Sequence, residues 1–256
     1  MPRANRHFIP NHVWHITYRC HKKEFLLKFA RDRRRWRYWL FQAKKRYNLC
    51  VLNYIVTSNH THLLVKDRGN GEIAKSMQLI AGRTAQEFNK RKTRKGAFWE
   101  DRYHATAVDT ENYLARCMTY IDLNMVRAGV VQHPGKWPFS GYHEIQCPPE
   151  RYAVIDQHAL LDVFGFKEPV QFRQACREWV EESLQSGRQT RNGDWSESLA
   201  LGGPDFVNDF KVGLGVQGMH RESVETVDGH VLKESPATYE ATFNSKMVCL
   251  RGNNRV

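Results

Sequence analysis

At 256 residues the chain can form one sizeable domain with a smaller appendage, and its 41% hydrophobic and 26% charged residues read as globular. No apolar run reaches the roughly 20 residues of a membrane span, and the N-terminal stretch MPRANRHFIPNHVWH has no apolar leader, so neither membrane insertion nor export is expected. The formal charge of +12 is uneven: residues 1–150 hold 27 Lys+Arg against 12 Asp+Glu (+15) and residues 151–256 hold 12 against 15 (−3), so the first part suits a polyanion such as nucleic acid.

The six cysteines (20, 50, 117, 147, 176 and 249) are scattered. None sits at zinc-knuckle spacing, and the pattern fits a reducing cytoplasm better than a disulfide scaffold.

In chain order, residues 12–19 (HVWHITYR) read as a strand, with His12, Trp14, Ile16 and Tyr18 on one face. Residues 25–47 read as a basic helix whose stripe is Phe29, Trp36, Leu40, Ala43 and Tyr47. LCVLNYIV (49–56) reads as a buried strand, Thr57-Ser58-Asn59 as a turn, and HTHLLV (60–65) as the second strand of a hairpin. After the KDRGNG loop (66–71), a helix is expected over 72–89, buried through Ile73, Met77, Ile80, Ala81, Thr84 and Phe88. KRKTRKG (90–96) reads as an exposed basic loop and FWEDRYHATAV (98–108) as a strand. The next helix runs over 111–128, with Asp109 or Thr110 as cap, Glu111 in its first turn and Gly129 as its stop.

This β-α-β-β-α-β-α order predicts an α+β fold: a ferredoxin-like or RRM-like antiparallel sheet with helices on one face. Pro and Gly thicken beyond residue 134, which places a boundary near 150. The 151–256 extension is expected to be mainly helical, with helical patterns around 159–164 and 170–184, a polar linker over 187–204 and an ambiguous tail.

Two constellations carry chemistry. On a strand, His60 and His62 point the same way, with Cβ atoms about 6–7 Å apart, and can converge on one cation. An H-x-H pair also fits an ordinary sheet edge, and imidazole alone does not name a metal. On the helix Thr119–Ala128, Tyr120 and Asn124 are i and i+4 neighbours. The phenol can attack a phosphodiester while the amide oxygen supplies a third metal ligand. A half-buried helix-surface tyrosine is the plainer alternative.

Together, TSNHTHLL (57–64), FWEDRYHA (98–105), YIDLNMVRAGVV (120–131) and Trp-Pro-Phe-Ser (137–140) resemble the HUH single-tyrosine transposases, and among them the bacterial REP-associated tyrosine transposases related to single-strand insertion-sequence transposases. The resemblance covers residues 8–145. It implies an HUH catalytic domain over 1–150, His60 and His62 as metal ligands, Tyr120 as nucleophile and Asn124 as the amide ligand, where some relatives carry Gln. Thr61 departs from the bulky apolar residue usual between the two histidines. On a strand it faces away from the site, so the change should alter packing rather than chemistry.

The activity implied is metal-dependent nicking and strand transfer on single-stranded DNA beside a palindromic REP-like hairpin, through a 5′-phosphotyrosine link, with Mg²⁺ or Mn²⁺ as cofactor. The protein is expected at the nucleoid, as a monomer or a homodimer. Candidate DNA contacts are Arg33, Arg34, Arg35 and Arg37 on the first helix, and Lys90, Arg91, Lys92, Arg94 and Lys95 in the basic loop. Trp99, Arg102 and Arg127 join them; Trp14, Phe98 and Tyr103 are further stacking candidates. The extension would bind DNA or regulate.

A histidine-triad hydrolase would need H-x-H-x-H, but Leu64 stands in the third place. A two-histidine phosphoesterase needs two separated H-x-[ST] steps, and no matching pair is expected. The non-enzymatic alternative is a hairpin-binding regulator on the same fold.

Overall fold

Alternating apolar residues in the first 66 residues build the centre of a sheet. In a computed structural model, which describes residues 9–110, 112–187, 192–219 and 221–234, three central strands form: β1 (Val13–Arg19), β2 (Cys50–Val56) and β3 (His60–Lys66). Helix α1 (Ala30–Tyr47) enters β2 through Asn48, which takes the left-handed conformation (φ 58°) that ends the helix. The segment before α1 is not helical from residue 25, as the stripe suggested. The Leu27 amide donates to Ser58 O at 2.9 Å and ties that segment to the β2–β3 turn.

Helix α2 (Glu72–Lys92) swallows the first three residues of the expected basic loop before Thr93 ends it at φ 49°. Strand β4 is confined to His104–Val108; Trp99 makes only an isolated bridge to Cys20. Helix α3 (Asn112–Asp122) is separated from α4 (Asn124–Arg127) by Leu123, and Gly129 at φ 67° stops the run as expected. Glu111 lies outside the described residues.

β1 pairs antiparallel with both β3 and β4, and β3 with β2, giving the ferredoxin-like order β2-β3-β1-β4. Helices do not keep to one face. Tyr18 stacks on Trp99, whose indole N–H donates to Ala81 O of α2, so α1 and α2 cover the face of Trp14, Ile16 and Tyr18. The other face carries His15, Thr17, His60 and His62, and α3 crosses it. That face also bears buried apolar surface at Val13 and Leu64, which needs a cover.

The compositional change near 150 does not end the sheet. After α5 (Gly141–Gln146), α6 (Gln157–Phe164) and α7 (Pro169–Gln185), the stretch expected as a linker forms α8 (Asp194–Glu197) and β5 (Ala200–Gly202). β5 pairs in parallel with β4; α9 (Pro204–Gly213) follows, then β6 (Arg221–Thr226) and β7 (Gly229–Glu234) extend the sheet to β2-β3-β1-β4-β5-β7-β6. Trp195, Ala200 and Leu201 are buried there, too short an apolar run to show a period. The expected tail beyond 234 lies outside the described residues, as does Cys249; the other five cysteines are free thiols. No described helix is long and apolar enough to cross a membrane.

Where α3 crosses β2, Asp122 is buried and its Oδ1 accepts from Asn53 Nδ2 at 2.9 Å. Burial lifts this carboxyl to about 7, opposed by the Asn53 hydrogen bond. The folded value stands above the unfolded one near 4, so folding takes up a proton between them and stability falls as pH rises from about 4 to about 7. Asp122→Asn keeps the acceptor without the charge, so it should raise the thermal midpoint more at pH 8 than at pH 5 in paired melts.

A chain ending at residue 150 would bare the β4 edge and the surfaces under Phe172, Trp195, Leu201 and Leu232. At about 1.5–3 kcal/mol per buried apolar side chain and about 2–4 °C per kcal/mol, its melting midpoint should fall by at least about 10 °C, or the chain should aggregate in sedimentation.

Candidate active site

The β2–β3 turn aims the first histidine. Thr57 Oγ1 accepts from the amides of Asn59 (3.3 Å) and His60 (3.1 Å) and donates to His60 O at 2.8 Å. With that proton spent, His60 Nδ1 donates to Asn59 Oδ1 at 2.7 Å, so in the neutral ring the lone pair is on Nε2. His62, two residues on, is 4% exposed, and Thr61 is buried on the opposite face as expected.

The second imidazole is oriented from behind by a residue the sequence reading passed over. His15 Nδ1 lies 2.7 Å from Trp195 O, an acceptor, so it donates there. His15 Nε2 lies 2.8 Å from His62 Nδ1, which must then be the donor, and His62 also keeps its lone pair on Nε2. Burial lowers His15 to about 3 and holds His62 well below the usual histidine range, with the neighbouring imidazoles and Arg127 pushing the same way. Both rings are therefore neutral.

Asn124 reaches both Nε2 atoms. Its Nδ2 donates to His62 Nε2 at 2.9 Å, while its Oδ1 lies 3.2 Å from His60 Nε2. The amide oxygen and the two Nε2 atoms therefore converge, and with the rings neutral all three could ligate one cation. Among the described residues no group of three His, Cys, Asp or Glu could hold a metal ion, so one bound here would take the amide as its third protein donor. Two imidazoles and an amide are neutral, and Mg²⁺ or Mn²⁺ on such a set needs further oxygen ligands.

Tyr120 stands beside this point. Its ring centroid is 5.9 Å from that of His62, and it stacks on Trp195 at 5.9 Å and 27°. Arg127 lies 4.1 Å from the ring centroid and donates to Tyr120 O at 2.6 Å. Burial lowers the Arg127 value and the tyrosine beside it raises it; a cation so placed favours the phenolate. A cavity of about 510 Å³ is lined by His60, His62, Tyr120 and Asn124, by Arg19, Lys23, Arg102 and Arg127, and by Ser196 and Glu197 of the extension.

Residues 9–124 match the model of the family described as "Transposase IS200 like", and the match ends on Asn124. Over this segment, a little under half of the chain, the protein is similar to the IS200-like transposases. The family is one of DNA-processing enzymes. No curated protein matches the chain. Among solved structures, one described as a REP-associated tyrosine transposase bound to a REP hairpin is 20% identical, with 58% of this chain and 87% of that one covered and a TM-score of 0.49. A protein described as a transposase from Deinococcus radiodurans R1 is 15% identical over 47% of this chain and 95% of that one, with a TM-score of 0.34. The fold assignment rests on the strand order and register of β1–β4 themselves.

The structure sorts the expected DNA contacts. Arg33 is not one: it is 8% exposed, donates to Leu27 O and Lys28 O, and lies over the Trp137 and Phe139 rings. Arg35 is tied to Glu87, Arg91 to Asp32, and Arg94 to Ala97 O and Glu24. Trp14, Phe98, Trp99 and Tyr103 are core aromatics. Arg34 and Arg37 on α1, Lys90 and Lys92 at the end of α2 and Lys95 in the loop beyond it remain exposed, and Arg102 lines the cavity.

Two H-x-T steps do occur, His15–Thr17 and His104–Thr106, contrary to the sequence reading. They are paired across β1 and β4. Trp195 O accepts from His15, and Ser198 O accepts from Thr106 Oγ1 and contacts His104 Nε2 at 2.8 Å, so they are not an open phosphoesterase pair.

Arg33→Ala should cost about 1–3 kcal/mol in denaturant unfolding, having removed buried hydrogen bonds and ring contacts. Arg34→Ala, at an exposed position, should stay within about 0.5 kcal/mol of the parent.

Proposed function

We propose that the protein is a metal-dependent single-stranded DNA endonuclease and strand transferase that acts beside REP-like hairpins through a 5′-phosphotyrosine intermediate. One observation carries this reading: the phenol of Tyr120 shares a cavity with the convergent donors His60 Nε2, His62 Nε2 and Asn124 Oδ1.

His60, His62 and Asn124 would hold Mg²⁺ or Mn²⁺. The bound ion would supply Lewis-acid polarisation of the scissile phosphate and offset its developing charge. Tyr120 Oη attacks phosphorus and gives up its proton, aided by the Arg127 charge against its ring. The bond from phosphorus to the 3′-oxygen breaks, that oxygen takes up a proton and leaves as a 3′-hydroxyl, and the 5′-phosphate stays on Tyr120. Attack by a 3′-hydroxyl reverses the step and joins strands, so no water need be activated.

Trp195 and the two buried imidazoles pack around the tyrosine ring and limit its travel. An unpaired strand can bend to a nucleophile fixed in this way, whereas a duplex backbone resists. The exposed cations of α1, α2 and the loop after α2 (Arg34, Arg37, Lys90, Lys92 and Lys95) form the surface proposed for the hairpin's phosphates, and Arg19, Lys23 and Arg102 serve the strand inside the cavity.

The test is covalent trapping on a denaturing gel, using an oligonucleotide hairpin with a single-stranded flank and Mg²⁺ or Mn²⁺. The parent chain should form a protein–DNA adduct with a 5′ link. Tyr120→Phe and His60→Ala should form none while still binding the hairpin, and Tyr113→Phe should form it normally. An adduct that survives Tyr120→Phe would move the nucleophile elsewhere. Hairpin binding without adduct in the parent chain would make the protein a binding regulator.

A further inference from the structure

Both nitrogens of His15 are engaged, and neither faces the cavity. His15 is fully buried on β1, with Nδ1 on a backbone carbonyl of the extension and Nε2 on His62, the two rings nearly parallel at 13°. The carbonyl belongs to Trp195, whose side chain is 2% exposed and stacks on Tyr120. The α8 segment that carries it is anchored to β4 by Thr106 Oγ1, which donates to Ser198 O at 2.7 Å, and by the β4–β5 pairing that follows.

The polarity along this chain is fixed at one end. A carbonyl can only accept, so the proton of neutral His15 sits on Nδ1. Its Nε2 must then accept, and His62 must carry its own proton on Nδ1. Only that tautomer leaves the His62 Nε2 lone pair aimed where Asn124 and His60 converge. Were the carbonyl or His15 absent, His62 would be free to protonate Nε2 and offer an N–H where a lone pair is needed.

The geometry points to His15 and the Trp195 carbonyl as a positioning relay that locks His62 in its ligating tautomer, so that the C-terminal extension completes the active site of the first 150 residues. This assignment rests on the proposed role of His62 as a metal ligand. It makes His15 and Trp195 positioning residues, since neither would touch the DNA or the ion.

The experiment uses the full chain, metal-free and without DNA, labelled with ¹⁵N-histidine, with protonated and unprotonated ring nitrogens told apart by long-range proton–nitrogen correlation. In the parent chain, His62 should carry its proton on Nδ1. His15→Phe keeps a buried ring but removes the acceptor, and should shift His62 toward the Nε2–H form. Binding of Mn²⁺ alone, followed by the electron spin resonance of the free ion, should weaken by about 10–100-fold. His15→Gln places an amide oxygen near the lost Nε2 and should restore both readings to within a few-fold of the parent. Trp195→Ala, which loosens the α8 segment, should shift His62 in the same direction as His15→Phe.

A His62 protonated on Nε2 in the parent chain, or unchanged in a folded His15→Phe chain, overturns the relay. An unchanged His62 in Trp195→Ala overturns the part given to the extension. A purely structural His15 would lower the melting midpoint in the Phe and Gln variants alike without moving the tautomer. The reading is taken on uncut protein, so a parent chain with the expected tautomer and no DNA adduct would sink the nicking function and leave the relay standing.

Discussion

Everything at the centre of this molecule turns on one carboxamide spanning two imidazoles. Asn124 can reach His60 and His62 together only if α3 and α4 lie across the sheet face that carries both histidines, and the Leu123 step lets the backbone turn there without losing its hydrogen bonds to Thr119 and Arg127. The amide oxygen and both Nε2 atoms then point to one place, which is the geometry a shared cation needs.

The surroundings support that arrangement through burial. Neutral imidazoles under α3 and α8 keep their lone pairs available because desolvation disfavours their charged forms. The same covering gathers Trp195 and Arg127 against the ring of Tyr120. The extension and the first 150 residues share one sheet and one hydrophobic core, so the region after residue 150 bears directly on the site.

Much of this was legible beforehand. The alternation of HTHLLV put both histidines on one face because a strand repeats every two residues, and Tyr120 and Asn124 were neighbours because a helix repeats every 3.6. The basic run of α1 was visible, but not which guanidinium turned inward: Arg33 and Arg34 are adjacent in sequence, yet one lies under two aromatic rings and the other in solvent. Trp99 looked like a stacking platform and proved to be core, since a tryptophan near a strand end has the same local signature in either role. His15 went unremarked because its alternation partners, Val13 and Thr17, mark no active face.

By itself, the sequence determined the periodic elements and the two local pairs, His60 with His62 and Tyr120 with Asn124, because strand and helix geometry relate residues two or four apart without reference to the rest of the chain. Only the tertiary structure decided that these pairs meet, that His15 stands behind His62, and that Trp195, 180 residues beyond His15, closes the chain of hydrogen bonds. Such contacts depend on which sheet face α3 crosses and on β5 adding to the β4 edge, and long-range pairings of that kind leave no period in the sequence to read.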